Sequence, residues 1–227
     1  AASCRSKRYK IRRVIKLLQV TNKNQRINLS IQPGSFLICL LIIGVWIISA
    51  LHHNLSIFET QKSNLLLGFG AINGVSLQMG EYWKLISSQF LHVKSLHMLF
   101  NVTLIYYIGA KIERYFGFIT FLAIYLIAGT LAQLASVLSY PHYVSSGASQ
   151  ALCGIIGAFL VLFFYPLRIS KISIVWAGIF LIVQISLDIY SAGYIKTGHW
   201  VGFTIGLLLG LLVRKFKLVK KCYGNYS

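Results

Sequence analysis

The clearest indication of the architecture is the segment at residues 197–213, which reads TGHWVGFTIGLLLGLLV. Its apolar length is close to the roughly 20 residues that an α-helix needs to cross the hydrocarbon core of a bilayer. Gly202, Gly206 and Gly210 recur at four-residue spacing, so they share one helix face. A face of small residues lets a second membrane helix approach closely. The segment therefore predicts a membrane span that packs tightly against a neighbour.

Five more apolar segments precede this one. They lie at about 36–52, 95–111, 116–139, 148–166 and 172–190. Their hydrophobicity is continuous and does not alternate, which favours helices over the strands of a membrane barrel. Only 11% of the residues are charged, against roughly 25% in ordinary soluble domains. The predicted fold class is an all-α integral membrane protein with a bundle of six transmembrane helices.

The basic residues predict the orientation of these helices. Nine of the 22 Lys and Arg residues lie in the first 26 positions, and five lie between Arg214 and Lys221. Placing both termini inside puts 18 of the 22 on the cytoplasmic side, as the positive-inside rule favours. We therefore predict a basic cytoplasmic tail at 1–34, a six-helix domain at 35–213 and a basic cytoplasmic tail at 214–227.

The net charge of +18 would also suit a nucleic-acid-binding protein. However, both basic clusters flank apolar segments, where anionic lipid headgroups attract them, and no nucleic-acid-binding motif is present. The expected partner is thus the lipid bilayer and not nucleic acid. The sequence predicts no particular oligomeric state.

A long connection at 53–94 separates the first two predicted spans. It is mildly apolar and contains Tyr82, Trp83 and Phe90. A loop of this length is usually functional or partly structured, and aromatic side chains favour the membrane interface. We therefore predict an outer loop that lies in the interface.

Polar residues inside apolar spans are costly, so each of them is a candidate functional residue. Gly147 permits a tight turn that would put Ser149 in the first turn of the fourth span, where free backbone N–H groups can stabilise an oxyanion. Ser149, Cys153 and Gly157 form a small face that can meet the glycine face of the sixth span. His199 would then lie within reach of the Ser149 hydroxyl and could take its proton.

Each candidate also has a structural explanation. A serine can bond to its own helix, and a histidine can bond to a neighbouring one. His97 and Asn101 share a helix face, either as an interhelical pair or as donors to an oxyanion. His92 and His97 lack the spacing and the nearby carboxylate of a metal site, so no metal and no cofactor are expected.

The acidic residues in the spans are predicted to be structural. Glu113, beside Arg114, would anchor the short turn before Gly117, and Asp188 would cap the fifth span or tether it. Because no acidic residue is predicted to orient His199, we expect a Ser149–His199 dyad and not a triad.

Taken in chain order, the motifs between about Gly80 and Gly210 resemble those of the rhomboid family of intramembrane serine proteases. The matching segments are GEYWKL at 80–85, His92, HMLFN at 97–101, ERYFG at 113–117, GAS at 147–149 and Gly198-His199 with Gly202 and Gly206. The first of these resembles the family's tryptophan–arginine loop motif, with Lys84 in place of arginine. The chain differs from the family at Gln150, where glycine is usual, at Gly198, where alanine is usual, and at Cys153, where an aromatic residue often supports the histidine.

The resemblance implies roles for individual residues. Ser149 would be the nucleophile and His199 the base, while His97, Asn101 and the Ser149 N–H would hold the oxyanion. The supporting residues would be Trp83, Lys84, His92, Glu113, Gly117, Gly147, Cys153, Gly202 and Gly206. The substrate would be a single-pass transmembrane protein, cleaved near the outer face where its helix is weak.

Two other functions are considered. A rhomboid-like protein could bind membrane clients without cleaving them, which the changes at Gln150 and Cys153 leave open. A small transporter would be expected to show inverted repeats or broken helices around a midplane site, and the sequence indicates neither. The expected location is a bacterial plasma membrane, with a eukaryotic endomembrane as the alternative.

Overall fold

The computed structural model describes residues 31–163, 171–192 and 196–223. Its helices are α1 (Pro33–His52), α2 (Ser63–Phe69), α3 (Gly74–Gln78), α4 (Lys84–Ser87), α5 (Ser95–Leu104), α6 (Ala110–Phe116), α7 (Phe118–Ser139), α8 (Ser149–Phe163), α9 (Lys171–Ala192) and α10 (Thr197–Tyr223). A 3-10 turn at Ser88–Phe90 follows α4, and a π-helical turn at Ile105–Gly109 joins α5 to α6. Three parts of the predictions lie outside the described residues. They are the first 30 residues of the predicted N-terminal tail, the predicted end of the fourth span at 164–166 with Arg168, and residues 224–227.

The predicted all-α class is confirmed for the part of the chain that the structure describes. Within it, four helices are long and apolar enough to cross a membrane, namely α1, α7, α9 and α10. Helix α8 is apolar but shorter, and the predicted second span is divided by the π-helical turn. The count of six spans and the inside position of both termini stay predictions.

Two helix boundaries differ from the predicted ones. Helix α1 begins at Pro33, because proline is preorganised for the first position of a helix and has no N–H to leave unpaired there. Helix α10 continues past the predicted boundary at 213 as far as Tyr223. The Lys and Arg residues of the predicted tail are good helix formers, so the helix extends where its apolar sequence stops.

The long connection at 53–94 is partly structured. It contains α2, α3, α4 and the 3-10 turn. Ile72 pairs in antiparallel fashion with Ser145, with N···O distances of 3.2 and 2.7 Å, so the connection is tied to the segment that precedes α8. Tyr82 and Trp83 are exposed, and their position in a membrane interface stays a prediction.

Helices α8 and α10 pack with their backbones in contact. A Cβ atom added at Gly206 would meet the backbone of Gly154, and one added at Gly157 would meet the backbone of Phe203. The side chains of Ile155, Ile156 and other α8 residues are fully buried in the main core. The predicted close approach of the fourth and sixth spans through small residues is confirmed.

The side chain of Glu113 caps α1 and does not anchor the turn that follows it. Its Oε1 accepts the Gly34 N–H at 2.7 Å, and its Oε2 accepts the Ser35 N–H at 2.8 Å and the Ser35 hydroxyl at 3.1 Å. The sequence prediction gave Glu113 a structural role at the following turn and named no partner on α1, because the N-terminus of α1 is distant in the chain. A carboxylate is favourable there, since the first N–H groups of a helix lack acceptors and carry partial positive charge.

Replacing Glu113 with alanine is expected to lower the free energy of unfolding by about 2–4 kcal/mol, because it leaves buried donors of α1 without an acceptor. Thermal unfolding in detergent measures this effect. Glu59→Ala is the matched control, since Glu59 is exposed. Equal melting temperatures for the two variants would contradict the capping role.

Candidate active site

The turn before α8 places Ser149 at the first position of that helix. Gly147 has a φ of +123°, a left-handed conformation that favours glycine. Its N–H donates to the Ser88 carbonyl at 2.9 Å, and the Ala148 N–H donates to His92 Nε2 at 3.3 Å. The predicted tight turn at Gly147 is thus confirmed. Hydrogen bonds to the 3-10 turn and to His92 hold this turn in place.

His92 is a buried, neutral acceptor behind the nucleophile segment. Burial lowers the pKa of His92 to about 3, and the neighbouring His97 adds to this effect. Nε2 faces two donors, the Ala148 N–H and the Asn101 side-chain amide, each at 3.3 Å. The neutral ring therefore carries its proton on Nδ1, which leaves Nε2 free to accept.

Ser149 and His199 are in hydrogen-bond contact. Ser149 Oγ lies 2.9 Å from His199 Nε2, and both side chains are buried. Ser149 begins α8 and His199 lies in the first turn of α10, so the close packing of these helices brings the two together. A Cβ atom at Gly202, one turn after His199, would collide with the Gln150 carbonyl oxygen. An imidazole at this distance can remove the hydroxyl proton and make the serine a nucleophile.

The pair lies in the wall of a polar cavity of about 330 Å³. Other residues in this wall are His97, Ser136, Tyr140, Ser145, Gln150 and Lys196. A larger cavity of about 850 Å³ lies between α1 and α5, and its lining is mostly apolar. It holds none of the predicted site residues, so the smaller cavity is the candidate site.

His97 and Asn101 take different positions although they share a helix face. His97 lines the cavity, and its Nε2 is buried without a hydrogen-bond partner among the described residues. Asn101 is fully buried behind it, where its Nδ2 donates to the His97 carbonyl at 3.0 Å and contacts His92. The structure therefore brings His97 to the cavity of Ser149 and holds Asn101 outside the cavity wall.

Asp188 is the residue that the sequence interpretation missed. Its Oδ2 lies 2.6 Å from His199 Nδ1, so the prediction that no acidic residue contacts His199 was wrong. Oδ2 also accepts the Lys196 N–H at 3.1 Å, so Asp188 tethers the fifth span to the residue before α10 and does not cap its own helix. The available signal was the position of an acid near the end of the fifth span, close in sequence to a histidine at the start of the sixth.

The predicted loop residues Trp83 and Lys84 lie outside the cavity wall. Lys84 Nζ is 2.8 Å from Glu81 Oε2 and 3.4 Å from Ser76 Oγ. The hydrogen bond from Lys84 holds the pKa of the Glu81 carboxyl below its ordinary value. Trp83 is exposed, with Lys84 Nζ 5.6 Å from its ring centroid. Lys84 therefore joins Glu81 to Ser76 within the connection between α1 and α5.

Cys153 and Gly117 complete the predicted set. Cys153 is a buried free thiol one turn after Ser149. It borders a third cavity, of about 110 Å³, together with Asp188 and His199. Gly117, with a φ of +95°, forms the turn between α6 and α7.

Gln150 and Gly198, two departures from the family motifs, are neighbours in space. Gln150 Nε2 donates to Ser136 Oγ at 2.9 Å and to Ser145 Oγ at 3.3 Å. A Cβ atom added at Gly198 would lie 2.7 Å from Gln150 Cδ and closer still to Ser136 Oγ. The glutamine side chain thus occupies the space into which an alanine methyl group at 198 would project.

Gly198→Ala alone is expected to lower the free energy of unfolding by about 1–3 kcal/mol through overpacking. In a Gln150→Gly background the same change is expected to cost much less, because the glutamine is gone and the Ser136 hydroxyl is released to rotate. Unfolding of the wild type, both single variants and the double variant measures the coupling. Additive effects of the two substitutions would contradict the steric link.

Comparison with known proteins adds family information to this geometry. Residues 79–216 match the family model described as Rhomboid domain. RHOMBOID-like protein 7 of Arabidopsis thaliana is 33% identical over 176 residues, which cover 69% of this chain and 53% of the relative. Rhomboid protease GluP of Bacillus subtilis is 37% identical over 99 residues, which cover 44% of this chain and 19% of the relative. Rhomboid-like protease 3 of Toxoplasma gondii is 27% identical over 165 residues, which cover 67% of this chain and 59% of the relative.

The relatives also bear on size and location. The chain spans about half the length of the Arabidopsis relatives that it matches, with 53% and 57% covered for two of them. Most of the relatives are plant or other eukaryotic proteins, so the expected bacterial plasma membrane is not supported. What is supported is an integral membrane protein with several spans.

Proposed function

The chain belongs to the rhomboid family, and from that premise we propose that it is an intramembrane serine endopeptidase in which Ser149 is the nucleophile and His199 the base. Members of the family act on transmembrane proteins within the membrane. The observation that carries the proposal is the 2.9 Å contact between Ser149 Oγ and His199 Nε2 in the wall of a polar cavity.

The proposed reaction has two stages. Ser149 Oγ attacks the scissile carbonyl carbon while His199 Nε2 takes the hydroxyl proton, and the resulting imidazolium then protonates the leaving amine. The first product departs and leaves an ester on Ser149. Water attacks this ester with His199 again acting as base, and the released proton returns to Ser149 as the acid product leaves.

The oxyanion would be stabilised by groups that the fold holds in place. The N–H groups of the first turn of α8 have no acceptor within the helix and so can donate at Ser149. His97 Nε2 is a second candidate donor, because it lies at the cavity without a partner among the described residues. Asn101 would support His97 and His92 through its present hydrogen bonds, and it could join the oxyanion site only by releasing one of these two acceptors.

The proposed substrate is a single-pass transmembrane protein with a helix-weakening segment near the outer face, because a regular helix shields its carbonyl groups from attack. In support, the cavity lies where α8 and α10 begin and α7 ends, which is one end of the bundle. With six spans and both termini inside, that end faces outward. The basic residue distribution favours this orientation.

A client-binding protein without protease activity is the alternative, and it is not favoured, because the serine and histidine are already in hydrogen-bond contact. A cleavage assay tests the proposal. The purified chain is reconstituted in liposomes with a single-pass substrate that has a Gly/Pro segment in its outer third, and mass spectrometry locates any cut. We expect wild type to produce a defined pair of fragments and Ser149→Ala to produce none. Equal fragmentation by both proteins would contradict the proposal.

A further inference from the structure

The imidazole of His199 is held at both of its nitrogens. Nε2 faces Ser149 Oγ, and Nδ1 faces Asp188 Oδ2 at 2.6 Å. The Asp188 side chain is only 1% exposed, so water does not compete for this contact. The short distance and the burial together favour a strong, well-oriented hydrogen bond.

Asp188 is itself fixed by groups from two parts of the fold. Its Oδ2 accepts the Lys196 N–H at 3.1 Å, and its Oδ1 accepts Gln184 Nε2 at 3.3 Å. The Lys196 ammonium lies 3.9 Å from Oδ1 and is partly exposed. The carboxylate is therefore positioned independently of the histidine that it contacts.

Packing alone does not fix the imidazole on its other side. The cavity of about 110 Å³ borders His199, and its remaining wall includes Cys153, Leu181, Trp200 and Phe203. Cys153 has a small side chain in this wall, and a larger side chain at the same position would fill the cavity. The neighbours on this side therefore leave space beside the ring, and its hydrogen bonds contribute to its orientation.

We propose that Asp188 is a positioning residue for His199. By accepting a hydrogen bond from Nδ1, it keeps the ring proton on that nitrogen and leaves Nε2 free to take the Ser149 proton. During attack the serine proton moves to Nε2, the Nδ1 proton stays on the ring, and the Asp188 contact is retained. This inference rests on the proposed protease function.

Two substitutions separate positioning from a purely structural role. Asp188→Asn has nearly the same shape, but an amide nitrogen in the place of Oδ2 donates to Nδ1, favours the wrong tautomer and leaves the Lys196 N–H without this acceptor. Asp188→Glu fits less well but keeps the carboxylate. Cleavage in liposomes gives kcat and KM for the folded protein, and thermal unfolding gives the melting temperature.

We expect Asp188→Asn to lower kcat by at least about tenfold, with KM changed by less than about threefold and the melting temperature lowered by only a few degrees through the lost Lys196 N–H contact. We expect kcat to decrease in the order wild type, Asp188→Glu, Asp188→Asn. The melting temperature is expected to decrease in the order wild type, Asp188→Asn, Asp188→Glu. A kcat that follows the melting temperatures, or wild-type kcat in Asp188→Asn, would overturn the inference. If Asp188→Glu does not fold, Asp188→Asn alone decides between these results. Absence of cleavage by wild type would instead overturn the proposed function.

Discussion

Replacing His199 with alanine is expected to abolish cleavage and to leave the fold nearly intact. The substitution removes the group that accepts the Ser149 proton, and losing the base of such a pair lowers kcat on the order of 10³-fold or more. The ring lies at the cavity wall and bonds to two side chains, Ser149 and Asp188, so the helix backbone does not depend on it.

Two measurements check this expectation. One is the cleavage rate of a single-pass substrate in liposomes, and the other is the melting temperature in detergent. The control is His52→Ala, because His52 is exposed at the end of α1. A melting temperature that falls by tens of degrees in His199→Ala alone would show that the histidine is mainly structural.

Gly206→Ala is expected to have the largest effect on stability. Its methyl group would collide with the backbone of Gly154, and a backbone cannot move aside as a flexible side chain can. Helices α8 and α10 would have to separate, at a cost of about 3 kcal/mol or more. The same movement would take His199 away from Ser149, so cleavage is expected to fall with stability.

Gly178→Ala and Gly44→Ala are matched controls for this substitution. Both glycines lie within long helices, and a Cβ atom at either would meet nothing within 4 Å. Alanine is the better helix former by roughly 1 kcal/mol, so these variants are expected to be neutral or slightly more stable. If Gly206→Ala unfolds at the same temperature as the controls, the backbone contact does not limit the packing of α8 and α10.

The sequence predicts the pairing of α8 with α10 because the relevant information is local. Glycines at four-residue spacing mark one face of a helix wherever that helix lies. The contact of Ser149 with His199 follows from the same pattern, since both residues continue the small faces that meet. These parts of the site can be predicted without knowing how the other helices are arranged.

The parts that were missed depend on which helix ends become neighbours. Glu113 caps α1 across a long stretch of sequence, and Gln150 occupies space beside Gly198. Neither pairing has a periodic signature. The contact of Asp188 with His199 likewise requires the end of α9 to lie against the start of α10.

The π-helical turn at Ile105–Gly109 is a further feature that the apolar pattern does not predict. The segment at 95–111 was predicted as one uninterrupted helix. A Cβ atom at Gly109 would lie 2.8 Å from the Phe121 ring, so the turn packs closely against α7. This contact involves a residue that lies outside the sequence of the turn. Tertiary contacts of this kind override local helix preference.

Labelling by a fluorophosphonate probe tests the central claim most directly, because the probe reacts with activated serines and needs no knowledge of the substrate. The purified wild type and Ser149→Ala are treated side by side after both are shown to be folded. The proposed chemistry predicts labelling of wild type and none of Ser149→Ala. Equal labelling of the two proteins, or none of a folded wild type that also fails to cleave substrates in lipid, would contradict it.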